Sequence, residues 1–133
     1  MQQITYISTA RFGEPSQAEV QDILRVSRRN NLRDGLTGLL IVAGRRFLQV
    51  LEGPPASCDA AYSRIRTDPR HFAMVELGRK TISQPSFPGW SMGFEAPGSG
   101  DLLQQVELLT GGIADPNLRE HLVSFAQLHR RAA

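Results

Sequence analysis

Residues 3–8, Gln-Ile-Thr-Tyr-Ile-Ser, are short and rich in β-formers, which predicts a strand with Ile4, Tyr6 and Ser8 on one face and Thr5 and Ile7 on the other. Gly13-Glu14-Pro15-Ser16 is a loop ending in an N-cap serine, and Glu19 three residues on completes a capping box. A helix then runs to about Asn31, with Val20, Ile23 and Leu24 as its apolar stripe. Residues 36–43 form a nearly continuous apolar run, the mark of a central strand. Gly44-Arg45 signals a tight hairpin, and residues 46–52 return as a third strand. Gly53-Pro54-Pro55 breaks that strand and opens a second helix, whose buried stripe is Cys58, Ala61, Tyr62 and Ile65 and whose stop is Asp68-Pro69. A fourth strand is expected over 72–82. Pro85 and Pro88-Gly89 mark a loop, and a fifth strand over 90–95 would set Trp90, Met92 and Phe94 on one face. Pro97-Gly98-Ser99-Gly100 reads as a linker. Leu102, Leu103, Val106 and Leu109 stripe one further helix, closed by Gly111-Gly112, and Leu118, Leu122, Phe125 and Leu128 stripe a last one that starts at Asp115-Pro116.

The order β-α-β-β-α-β-β followed by helices predicts an α+β fold. Two crossover helices on one face of a mostly antiparallel sheet form the ferredoxin-like plan. The chain divides into a domain over 1–96 and a helical extension over 97–133. The sheet's second face is left for those C-terminal helices to cover, or for them to meet a partner.

Composition narrows the class. A chain of 133 residues is long enough to hold a core without staples. Its single cysteine, Cys58, forms no internal disulfide, which fits a reducing compartment. No apolar run reaches the roughly 18 residues of a membrane helix, and Met1-Gln2-Gln3-Ile4-Thr5 lacks a signal peptide's layout. A cytoplasmic protein away from membranes is expected. Fifteen basic against thirteen acidic residues give a net charge of +2. Arg25, Arg28, Arg29 and Arg33 cluster, as do Arg130-Arg131, but no aromatic interleaving accompanies them, so a solvated helix face is favoured over nucleic-acid binding.

The informative feature is polarity where the pattern calls for apolar side chains. Asn31 lies only about 20° from Leu24 on the helical wheel, with Ser27 between them. Gln49 shares a strand face with Phe47 and Leu51, and Tyr6 adds a phenol from the first strand. An unpartnered buried amide costs about 1–3 kcal/mol, a heavy charge on a domain stable by about 5–15 kcal/mol. Either these groups satisfy one another or they line a ligand site. Amides offer donor and acceptor together, which suits a planar heterocycle with alternating C=O and N–H edges. Blander readings stand beside this one: Asn31 as a C-cap, Trp90 and Met92 as plain core, Arg70 and His71 as a surface corner, and His121 and His129 facing solvent. Other chemistry is thin. One cysteine and three scattered histidines make no zinc site, the glycines at 111–112 lack a phosphate-loop lysine, and no histidine stands at nucleophile-activating spacing from Ser8 or Cys58. Asp34-Gly35 and Glu52-Gly53 read as turn chemistry.

Taken together, Tyr6-Ile7-Ser8, Asn30-Asn31 with Leu36-Thr37-Gly38, Phe47-Leu48-Gln49-Val50-Leu51-Glu52-Gly53, Asp68-Pro69-Arg70-His71 and Phe87-Pro88-Gly89-Trp90-Ser91-Met92 resemble the BLUF domain, a flavin-binding blue-light sensor, over about Ile4 to Phe94. The resemblance implies FAD held non-covalently between the two crossover helices. It implies that Tyr6 donates an electron and a proton, that the Gln49 amide changes tautomer or orientation after light, and that Trp90 and Met92 alternate near Gln49. It implies Asn31, Asn30, Arg70, His71, Ser27, Ile23, Leu24 and Phe47 as cofactor-binding residues. Asn30 departs from relatives that carry an aromatic or histidine there. The short stretch after Phe94 leaves no room for an enzyme domain, so a non-enzymatic sensor is expected, signalling to a separate downstream protein and forming a homo-oligomer. The competing reading is a cofactor-free ferredoxin-like interaction module whose polar cluster is only core.

Overall fold

The computed structural model describes residues 1–95 and 101–129. The linker expected at 97–100 and the Arg130-Arg131 pair lie outside the described residues. In chain order the elements are β1 (Gln2–Ala10), α1 (Gln17–Asp34), β2 (Thr37–Ala43), β3 (Arg46–Gly53), α2 (Pro55–Arg66), β4 (His71–Thr81), β5 (Gly93–Glu95), α3 (Leu102–Thr110) and α4 (Pro116–His129). One five-stranded sheet has the order β4-β1-β3-β2-β5. The pairs β1/β3, β1/β4 and β2/β3 are antiparallel, and β5 runs parallel to β2. The ferredoxin-like α+β expectation holds, with β5 added at one edge.

The capping box forms: the Glu19 amide donates to Ser16 Oγ, and the Ser16 amide to the Glu19 carboxylate. The helix runs a turn past Asn31 because its stop is Gly35, in the left-handed conformation at φ 72°, whose N–H reaches the Asn31 carbonyl. Asn31 is therefore not a C-cap, and its side chain is free for other work.

Strand alternation sorts the sheet into two cores. Ile4, Leu40, Phe47 and Leu51 face α1 and α2 and pack with Val20, Leu24, Cys58, Ala61 and Met92. Leu39, Ile41, Leu48 and Val50 face the other way and pack with Leu102, Val106, Leu118, Leu122 and Phe125. The C-terminal helices thus cover the second face of their own sheet. Leu128, placed on the apolar side of α4 by periodicity, is instead 78% exposed. His121 and His129 are half-buried rather than facing solvent, and His129 packs on the Phe125 ring at 4.6 Å.

The fifth strand is shorter than expected. Residues 90–92 do not belong to it, because their carbonyls are taken by groups outside a regular ladder. Gly38 N–H donates to the Trp90 carbonyl, Asn31 Nδ2 to that of Ser91 and Arg28 Nε to that of Met92. Trp90 and Met92 consequently part company: Met92 is buried, while Trp90 is 40% exposed and stacks on Phe87. Gly38 is required on β2 because a Cβ there would collide with the Val50 carbonyl oxygen of β3.

Candidate functional site

Tyr6 and Gln49 are directly opposed in the β1/β3 register, both on the face toward α1 and α2. The phenol of Tyr6 donates to Gln49 Oε1 in a short hydrogen bond. The amide's other end, Nε2, donates to Met92 Sδ at 3.7 Å. The pair is fully buried, and that burial pushes the Tyr6 phenol well above the usual tyrosine range, so it stays protonated. Register shifts in the β1/β4 pairing flank Tyr6 on both sides, and Ala73 sits at φ 53° where β4 bulges.

The bulged start of β4 brings His71 beneath α2. Its Nε2 lies 2.5 Å from the Ile65 carbonyl and its Nδ1 2.8 Å from Ser8 Oγ. A carbonyl can only accept, so Nε2 carries a proton, and Nδ1 pairs with the Ser8 hydroxyl, which can donate or accept. Arg70 is largely exposed. Its guanidinium bonds the Asp68 carboxylate at 2.6 Å and reaches Asp22 of α1 at 3.7 Å, tying the α2–β4 turn to α1. Burial works to raise the Asp68 pKa, but the Arg70 hydrogen bonds outweigh it and hold the carboxyl below the ordinary range.

Between α1, α2 and the sheet lies a cavity of about 260 Å³. Ile23 and Val26 of α1, Leu40, Phe47 and Leu51 of the sheet and Ala61 and Ile65 of α2 give it apolar walls. Tyr6, Gln49, Asn31, Asn30, Ser27 and His71 line it with polar groups, and Arg64, Asp68 and Arg70 stand at the α2 side. The Ser27 hydroxyl and the Asn30 carboxamide have no hydrogen-bond partner among the described residues. Asn31 spends one N–H on the Ser91 carbonyl at 2.5 Å, which leaves a second N–H and the Oδ1 acceptor. Apolar walls with a few convergent amides fit a flat heterocycle that shows both donors and acceptors at its rim.

Nine of the twelve residues expected at the site line this space, and three do not. Leu24 is buried behind the wall and does not line the cavity, and Trp90 lies at the surface. Met92 is not a lining residue either; it touches the site through Gln49. Ser8, Val26, Leu40, Leu51, Ala61, Arg64, Ile65 and Asp68 also line the cavity and were not singled out from sequence. Ser8 was legible, being on the same strand face as Tyr6. Arg64, on the polar side of α2, carried no such signal.

A ferredoxin-like sheet with a pocket of this lining has the form of a small ligand-binding domain. A family model described as BLUF, "Sensors of blue-light using FAD", matches residues 1–93. The chain belongs to the BLUF family of flavin-binding blue-light sensors. It is 35% identical over 74 residues to the blue light- and temperature-regulated antirepressor BluF of Escherichia coli K12, covering 56% of this chain and 18% of that protein. It is 33% identical over 90 residues to the photoactivated adenylate cyclase subunit beta of Euglena longa, covering 67% of this chain and 10% of that one. The chain thus spans less than a fifth of either relative. Among solved structures, the dark state of the BLUF protein BlrB is 32% identical with a TM-score of 0.74 and 96% of both chains covered. Klebsiella pneumoniae BlrP1 is 27% identical with a TM-score of 0.81, over 95% of this chain and 32% of that one. No helix among the described residues is long and apolar enough to cross a membrane.

Proposed function

We propose that this chain is a blue-light photoreceptor that binds FAD non-covalently between α1 and α2 and signals to a separate protein. The observation that carries this reading is the buried Tyr6–Gln49 hydrogen bond at the floor of the cavity. The flavin supplies the absorption of blue light and a one-electron acceptor. Asn31, Asn30 and Ser27 would hold its polar groups, with Ile23, Phe47, Arg70 and His71 around it. Tyr6 would be the electron donor, and its hydroxyl proton is already directed at Gln49 Oε1.

Gln49 is suited to the switching role because a carboxamide exchanges donor for acceptor with almost no change in volume. In the resting arrangement its Nε2–H faces Met92 Sδ. After the exchange a carbonyl oxygen faces that sulfur, and the attraction is lost. Met92 belongs to the segment anchored by Asn31 and Arg28, so a side-chain event at Gln49 biases backbone at the edge of the sheet.

Protein purified with FAD is expected to be yellow, to shift its flavin band to the red under blue light and to recover in the dark. Chromatography of the released cofactor distinguishes FAD from FMN. A colourless protein that takes up no flavin on reconstitution overturns the reading.

A further inference from the structure

Glu52 takes no part in the chemistry above, yet it is the one acidic or basic side chain buried among the described residues, 1% exposed. No cation pairs with it there. Its carboxylate instead accepts from the backbone N–H groups of Ser86 at 2.8 Å and Phe87 at 3.0 Å, from Gln3 Nε2 at 2.8 Å and from the Thr37 hydroxyl at 3.3 Å. The turn role read for Glu52-Gly53 is therefore too small. A buried carboxylate carries a desolvation cost that an apolar residue of similar volume would avoid. What the charge provides in return is a pair of strong bonds to two consecutive amides.

Those amides begin the segment that ends at Met92. Phe87 packs in the core shared by the sheet, α3 and α4, whereas Met92 packs in the core under α1 and α2. The segment passes from one core to the other around the β2 edge, and both its ends are fastened to β3. Glu52 holds its start on one face of that strand, and Gln49 holds Met92 on the opposite face.

We propose that Glu52 is a positioning residue for the light response. By fixing the Ser86 and Phe87 amides it delivers the Met92 sulfur to Gln49, and it sets the fixed point against which displacement of Met92 is felt at Phe87. This rests on Gln49 being the switch.

The test uses the full chain loaded with FAD, comparing the parent, Glu52→Gln, Glu52→Asp and a buried comparator that bonds no residue of the segment, Cys58→Ala. Trp90 is the only tryptophan, so its emission reports on the segment. The Ser86 and Phe87 amides bond different oxygens of Glu52, so Glu52→Gln keeps an acceptor for one and presents an N–H₂ to the other. It is expected to keep flavin, lose exchange protection at one of these two amides, change the dark-recovery rate at least tenfold and abolish the light-minus-dark difference in Trp90 emission. Glu52→Asp keeps the charge but falls short of both amides, and its effect should be intermediate. Cys58→Ala should stay within twofold of the parent. Unchanged amide protection, or recovery within twofold and an intact Trp90 difference in folded Glu52→Gln, overturns the proposal. So does loss of folding in both Glu52 variants, which makes Glu52 a folding determinant only. A parent protein with flavin but no red shift fails the photoreceptor reading instead. The amide-exchange comparison still decides whether Glu52 anchors the segment.

Discussion

Tyr6→Phe removes one oxygen atom from the floor of the cavity. The ring stays, and with it the packing against Tyr62 at 5.8 Å. What is lost is the hydrogen bond to Gln49 Oε1, which leaves a buried carbonyl without its donor. Such an orphaned acceptor costs about 1–3 kcal/mol. Part is returned because a phenyl ring no longer buries a hydroxyl, worth about 1 kcal/mol on mutational scales. The net loss of about 0–2 kcal/mol is affordable within a domain stability of about 5–15 kcal/mol. At about 3–5 °C per kcal/mol for a chain of this size, Tm should fall by at most roughly 10 °C. The variant should therefore fold and bind flavin. Its light response should vanish, because no phenol remains to give up an electron and a proton. The assay is a light-minus-dark absorption spectrum alongside a melting curve. A reversible red shift of parental size in Tyr6→Phe would refute the role given to Tyr6, whatever the melting curve shows.

Gln49→Leu should likewise keep flavin and lose the red shift; if the chain were instead a cofactor-free module, the substitution would be neutral or stabilising, which a melting curve and a flavin titration distinguish. In alkali, Tyr6 keeps its proton in the folded protein while the unfolded chain gives it up near pH 10, so the folded state binds more protons and stability falls as pH rises. Urea midpoints should drop above pH 10 with a contribution of about 1.4 kcal/mol per pH unit from this group, and Tyr6→Phe should lose that contribution. Cys58 is fully buried and its thiol is pushed up to about 11 by burial, so native protein should resist thiol reagents at neutral pH while denatured protein reacts at once. Leu122→Ala, in the core on the α4 side, should destabilise the protein by about 2–5 kcal/mol without moving the dark flavin band, checked by melting and absorption.

Much of this arrangement is legible in the residues because strand and helix periodicities leave little choice. Alternation alone puts Tyr6 and Gln49 on inward faces, and the register then opposes them. The 100° helical step puts Asn31 and Ser27 beside Leu24. The region after Pro88 defeats the same logic. Trp90, Ser91 and Met92 look like an alternating strand, but their carbonyls are claimed by Gly38, Asn31 and Arg28, contacts that span more than 50 residues of sequence and have no periodic signature. Glu52 was misread for the opposite reason. Next to Gly53 it resembles a strand end, and only the folded chain shows the Ser86 and Phe87 amides arriving above it.

With α1 and α2 roofing one side and α3 and α4 the other, the apolar residues of both faces of the central strands are sealed from solvent. The sheet ends at β5 on one side and at the longer β4 on the other, and neither carries a further strand on its far side among the described residues. Arg79 and Lys80 stand along the β4 margin as charged sentries of the kind that discourage a foreign strand from adding on. On the reading proposed above, the half-exposed indole marks the corner where an absorbed photon would alter the protein's outline.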